Sequence, residues 1–241
     1  MKKKRLILLV TIIFMISTFG VLRYTYKVDV ITFGDSNTEN SNWSSQKYDK
    51  NKKWVTLLKN QTHQNILNLG VAGSTSSSGL KRSIVDIILR EPSTLYIMFG
   101  TNDATLGFNG ISGVSKDKFQ RNLQCMITVA KLSGSEPILM TSIPIIEGNG
   151  KDGYYATRQP SDLYRKFGGI KTWHNSYNDI VRELAIKNHI TLIDNWNDFI
   201  AKAGSDSDQK LIQSGLIDSS GIHLTPKGSV LIVQNILSAI K

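Results

Sequence analysis

The segment Gly34-Asp35-Ser36-Asn37-Thr38 follows an apolar run and places a serine in a tight polar turn. A serine at the end of a strand can expose its hydroxyl, and its own amide then faces the same space. That hydroxyl is a poor nucleophile until a neighbouring imidazole takes its proton. Far along the chain, Gly221-Ile222-His223-Leu224 offers a histidine on a loop rather than on an apolar face. Attack on a carbonyl would create an oxyanion, which needs donors already in place. Two further clusters could supply them. In Asn68-Leu69-Gly70-Val71-Ala72-Gly73-Ser74-Thr75, Gly73 permits close backbone approach and can aim an amide. In Gly100-Thr101-Asn102-Asp103, Asn102 carries a side-chain amide donor. Taken singly, each cluster is also ordinary turn chemistry, and Ser76-Ser77-Ser78 reads as a flexible loop.

The elements that must position these clusters alternate regularly. Short apolar runs at 28–33, 65–71, 94–99, 137–143 and 190–193 predict five strands. Helical spacing marks 53–58, 80–90, 115–132, 173–187 and 226–240. Ser115 and Thr225 are the expected N-caps of two of these helices, with Pro226 at a first helical position. Strands separated by helices imply parallel β-α-β units and a sheet covered on both faces. Ligands of such sheets bind at the carboxyl ends of the strands, where the first three clusters fall. The stretch 145–169 breaks the pattern. Its length and its polar residues (Tyr154, Tyr155, Arg158, Tyr164, Arg165) predict a substrate-facing insertion.

Charge and targeting signals bound the function classes. The chain has 241 residues and a formal net charge of +10, with 29 basic and 19 acidic side chains. Six of the basic residues and none of the acids lie in residues 1–27. The remainder is only mildly basic and lacks interleaved aromatic and basic clusters, so no nucleic-acid partner is expected. Lys2-Lys3-Lys4-Arg5 precede an uncharged run at 6–22. This is the pattern of either an uncleaved signal anchor or a cleaved signal peptide. Both place a domain at 28–241 outside the cytoplasm, and the first would join it to the membrane. The single cysteine, Cys125, excludes an internal disulfide and reads as a small core residue. His63, His174 and His189 show no metal-ligand spacing and read as surface or structural, so neither metal nor cofactor is expected.

In this order, the Gly-Asp-Ser block, the glycine block, Gly-x-Asn-Asp and the histidine block before a final helix resemble the SGNH (GDSL-like) hydrolase family. The resemblance runs from Val30 to the last helix. It implies a flavodoxin-like three-layer α/β/α sandwich with a central five-stranded parallel sheet, and hydrolysis of acyl esters. It also implies Ser36 as nucleophile, His223 as general base and later acid, and an oxyanion hole of the Ser36 amide, the Gly73 amide and the Asn102 side chain. Two positions depart from the family pattern. Asn37 stands where leucine is frequent. Ser220 stands where an aspartate usually orients the imidazole, three residues before the histidine. Asp218 is the nearest acid and the favoured orienting residue. A backbone carbonyl, the Ser220 hydroxyl and Asp194 are the alternatives. The expected activity is an esterase releasing acyl groups, O-acetyl above all, from a small-molecule or extracellular glycan ester. A lipase or thioesterase with longer acyl substrates is the second expectation. A catalytically inactive glycan-binding module, motivated by Ser220, is the third.

Overall fold

The computed structural model describes residues 2–39, 48–148 and 161–240. Among them, five strands pair in parallel: β1 (Val30–Gly34), β2 (Ile66–Gly70), β3 (Thr94–Met98), β4 (Glu136–Met140) and β5 (Leu192–Ile193), in the order β2-β1-β3-β4-β5. Successive strand residues point to opposite faces, and both faces of this sheet are buried. Val30, Tyr96, Met98, Ile138 and Met140 share one apolar cluster with Trp54, Leu58, Phe199, Ile232 and Ile236. These partners belong to α2 (Trp54–Thr62), α8 (Asn195–Ala203) and α10 (Pro226–Ala239). The alternate residues Ile31, Phe33, Leu95, Ile97 and Leu139 meet Ile87, Phe119, Leu123, Tyr177 and Val181. Those come from α3 (Ser76–Arg90), α5 (Lys116–Leu132) and α7 (Ile170–Asn188). The result is a three-layer α/β/α sandwich with the flavodoxin-like strand order.

The remaining described helices are α1 (Lys2–Tyr26), α4 (Thr101–Ala104), α6 (Ser161–Tyr164) and α9 (Asp208–Ser214). Helix α1 carries the uncharged run, with Ile7, Leu8 and Phe14 exposed. Among the described residues no helix is long and apolar enough to cross a membrane. The chain enters the sheet at the amino ends of the strands. There Val28 N donates to Arg90 O (3.3 Å), Asp29 N to Asn65 O (3.0 Å) and Ser93 N to Asp29 O (2.9 Å). The polar clusters lie at the opposite edge, beyond Gly34, Gly70 and Met98, which are in register across β2, β1 and β3.

Several local expectations change. Ser76-Ser77-Ser78 is not a loop but the first turn of α3. Thr75 caps it: the Thr75 side chain accepts from the Ser78 amide while the Ser78 hydroxyl accepts from the Thr75 amide at 2.9 Å. Such a reciprocal box satisfies two orphan donors of a helix start. Helices α8 and α9 lie outside the spans that the apolar spacing predicts as helical. Cys125 is half-buried. Within the expected insertion, Tyr154, Tyr155 and Arg158 lie outside the described residues. Tyr164 is fully buried rather than substrate-facing, and its hydroxyl accepts from the Leu106 amide at 2.7 Å.

Gly34 shows how tightly the site edge is built. A Cβ there would collide with the Thr38 hydroxyl and stand 2.8 Å from the Met98 carbonyl oxygen. The neighbour on one side is strand backbone and cannot yield. Gly34→Ala is therefore expected to destabilise the protein by about 3 kcal/mol, lowering Tm by roughly 6–12 °C in a chain of this size. Thermal melting followed by circular dichroism checks this; an unchanged Tm would mean that the turn has slack.

Candidate active site

The turn after β1 closes on itself. Thr38 N and Glu39 N both donate to Asp35 O, at 3.1 and 3.0 Å, and Asn37 N donates to the Asp35 side chain at 2.9 Å. This winding leaves Ser36 at the sheet edge, 8% exposed. Among the described residues no turn hydrogen bond takes up the Ser36 amide or the Gly73 amide. Gly73, at φ +71°, occupies backbone space that favours glycine.

The histidine arrives on a tight hairpin between α9 and α10. Asp218 N donates to His223 O at 2.8 Å, and Thr225 N to Leu216 O at 3.1 Å. The Asp218 carboxylate accepts from the Ser220 amide two residues on, at 2.8 Å, an Asx-turn that sets the bend. Gly221 takes φ +78° at its tip. The hairpin is then held against the serine turn by Asn37. Its Nδ2 donates to Ile222 O at 2.9 Å, and its Oδ1 accepts from Leu224 N at 3.1 Å. These two bonds bracket His223. Trp54 Nε1 donates to Asn37 O at 2.9 Å and holds the asparagine's own backbone.

With the hairpin so placed, His223 Nε2 lies 3.0 Å from Ser36 Oγ. On the other side of the ring, Nδ1 lies 2.8 Å from Ser220 Oγ. Ser220 Oγ in turn lies 2.5 Å from Asp218 Oδ1. The hydrogen positions follow from the chemistry. A carboxylate only accepts, so the single Ser220 hydroxyl proton points to Asp218. The Ser220 oxygen must then accept from His223, which puts the ring proton on Nδ1. Nε2 is left with its lone pair toward the Ser36 hydroxyl, as a general base requires.

The structure thus brings Ser36 and His223 into contact and puts the Ser220 hydroxyl, backed by Asp218, on the far ring nitrogen. Asp194 is elsewhere. It caps α8 through Asn197 N and pairs with Arg182 at 2.8 Å. Gly73 and Asn102 stand at the ends of β2 and β3 and are tied together, because Asn102 Nδ2 donates to Ser74 O at 3.1 Å. Asn68 ties the glycine segment to the serine turn by donating to Thr38 O at 2.6 Å.

Beneath these loops are two buried carboxyl groups that sequence reasoning did not use. Asp103 accepts from the Ser76 amide at 2.9 Å and from the Ser76 hydroxyl at 2.5 Å, and Asn122 donates to that hydroxyl at 2.9 Å. Burial pushes Asp103 up to about 6, against the opposing effect of the Ser76 bonds. Asp35 is pushed up to about 7. Burial is the main cause, opposed by the Asn37 amide and reinforced by the charge of Asp103. The serine turn and the start of α3 therefore rest on acids that resist ionisation. His174 is also buried, which pushes it down to about 3 and keeps the ring neutral. Among the described residues no group of three or more His, Cys, Asp or Glu could hold a metal ion.

Residues 32–231 match the GDSL-like lipase/acylhydrolase family. The chain is 46% identical over 212 residues to the uncharacterized lipoprotein YqeF of Bacillus subtilis (strain 168), covering 86% of this chain and 87% of that protein. Among solved structures, the acetyl xylan esterase AlAXEase superposes with a TM-score of 0.67 at 21% identity, covering 88% of this chain and 99% of that one. A catalytic mutant of Axe2, an acetylxylan esterase from Geobacillus stearothermophilus, superposes with a TM-score of 0.64 at 18% identity, covering 88% and 94%. At such identities these two structures share the fold.

The buried Asp35 gives a pH signature. The folded state holds its proton more tightly than the unfolded chain does. That contribution to stability is complete below about pH 4, the ordinary carboxyl value. It is lost as pH rises through about 7. Asparagine cannot ionise. The Tm of Asp35→Asn relative to wild type should therefore rise between about pH 5 and about pH 8. Parallel melts at both pH values check this; a pH-independent difference would show that Asp35 does not titrate in this window.

Proposed function

The chain belongs to the GDSL-like lipase/acylhydrolase family and is a carboxylic ester hydrolase; on that premise we propose that residues 28–241 form a serine esterase with Ser36 as nucleophile. The observation that carries this reading is the 3.0 Å contact between Ser36 Oγ and His223 Nε2. In the reaction, Ser36 Oγ attacks the acyl carbon while His223 Nε2 takes the hydroxyl proton. The carbonyl oxygen becomes an oxyanion and accepts from the Ser36 amide, the Gly73 amide and the Asn102 side chain. The tetrahedral species collapses, the ester C–O bond breaks, and the leaving oxygen takes the proton from His223. Water then attacks the acyl-enzyme by the same route in reverse roles, which releases the acid and restores Ser36. All these steps run on protein groups and water.

We infer that the substrate is a short acyl ester, an O-acetyl group on a glycan outside the cytoplasm. Fold neighbours that act on acetylated xylan support the acyl part. The cationic start and uncharged run of residues 1–27 support export, as does a Bacillus subtilis relative named as a lipoprotein. Residues 1–27 contain no cysteine, so a lipid carried on cysteine would have no attachment point there. A lipase or thioesterase with longer acyl chains is the competing reading, and chain-length preference separates the two.

The test uses the full chain with p-nitrophenyl esters of increasing acyl length, beside acetylated xylan. Wild type should favour the acetyl ester and release acetate from the glycan. Ser36→Ala should lose on the order of 10⁶-fold in kcat, by analogy with nucleophile loss in subtilisin. Asn102→Ala should lose about 10²–10³-fold, as expected for one oxyanion donor. Preference for long acyl chains would replace the acetyl reading, and equal turnover by wild type and Ser36→Ala would remove the esterase mechanism itself.

A further inference from the structure

The hydroxyl between Asp218 and the imidazole has the geometry of a connector. Ser220 Oγ sits 2.5 Å from the carboxylate oxygen and 2.8 Å from His223 Nδ1. Its backbone amide also donates to the same Asp218 oxygen, at 2.8 Å. Two bonds from one residue to one carboxylate oxygen fix the side chain, so the hydroxyl is not a free rotor. The hydroxyl hydrogen is committed to Asp218, which leaves its oxygen lone pairs facing Nδ1–H. Hydrogen bonds in such a chain polarise one another. When His223 takes the Ser36 proton and becomes a cation, the hydroxyl oxygen 2.8 Å from its Nδ1 is therefore one already polarised by a carboxylate.

We propose that Ser220 is a positioning residue that transmits the orienting effect of Asp218 to His223 through its hydroxyl, in place of a direct carboxylate–imidazole contact. The proposal rests on the serine esterase reading above. It assigns Ser220 two effects: holding the ring in the tautomer that leaves Nε2 basic, and stabilising the imidazolium that forms during acyl transfer. Neither involves substrate, so both should appear in kcat and leave KM nearly unchanged.

The experiment is a variant cycle on the full chain with a short p-nitrophenyl ester. Ser220→Ala should lower kcat on the order of 10²–10⁴-fold, the upper value being the loss when an amide replaces the orienting carboxylate of a serine protease. Asp218→Asn should fall comparably. The double variant Asp218→Asn with Ser220→Ala should be no slower than the worse single variant, because the two residues act as one unit. The pair Asp218→Asn with Ser220→Asp restores one carboxylate directly at the ring and should recover most of the lost rate. Melting curves for each variant separate folding losses from kinetic ones, and the carboxylate rescue is an outcome that a purely structural role would not produce. An active wild type whose Ser220→Ala variant keeps kcat within about threefold, or a double variant that loses the product of the two single losses, overturns this proposal alone. A wild type no faster than Ser36→Ala overturns the esterase reading and this proposal with it.

Discussion

The site depends on the grip of the Asn37 side chain on the backbone at Ile222 and Leu224. One amide group donates to the carbonyl before His223 and accepts from the amide after it. The serine turn and the histidine hairpin are 187 residues apart in sequence, and among the described residues no shared strand joins them. Bringing them together has an entropic cost that local propensity cannot offset. Two hydrogen bonds placed symmetrically about the histidine fix both the distance and the tilt of the hairpin. The contact between Ser36 and His223 is then a consequence of backbone geometry and does not have to hold itself together.

Around that grip the loops are connected in a ring. Asn68 holds the serine turn from β2, Asn102 holds the glycine segment from β3, and Asp103 holds the first turn of α3 through Ser76. The connections are short polar side chains bonding to backbone groups, which is how buried loops satisfy their amides and carbonyls. This polar layer carries a cost. Asp35 and Asp103 are buried near each other, and burial opposes ionisation of both. Such strain against solvation is tolerated where positioning matters more than stability.

Much of this was legible in the sequence. Alternating apolar runs located all five strands to within two or three residues at each end, because a doubly covered parallel sheet needs nearly continuous apolar strands. Ser36, Gly73, Asn102 and His223 stood out because they follow strands or precede a helix in polar, glycine-containing clusters. In the sequence Asn37 shows only as a residue standing where leucine is frequent. Its significance lies in a pairing across the chain that no local pattern encodes. The serine row was read as a loop because serine is a weak helix former; the capping box and the Asp103 contact override that weakness. The signal was present in Thr75 and Ser78, spaced as a cap pair. Helices α8 and α9 are short, of nine and seven residues. Their starts were visible in Asp194 and Ser207 as N-caps, with Gly204 and Gly215 beyond their ends. Tyr164 looked like a recognition residue because aromatic and basic residues surround it, yet its hydroxyl has a buried amide to satisfy.

The chain joins the sheet beside Arg90 and Asn65, at the edge opposite Ser36. A five-residue strand, β1, about 16 Å of extended backbone, separates this junction from the turn that carries Ser36. The junction at residues 28–29 and the Ser36–His223 pair therefore sit at opposite ends of the strands.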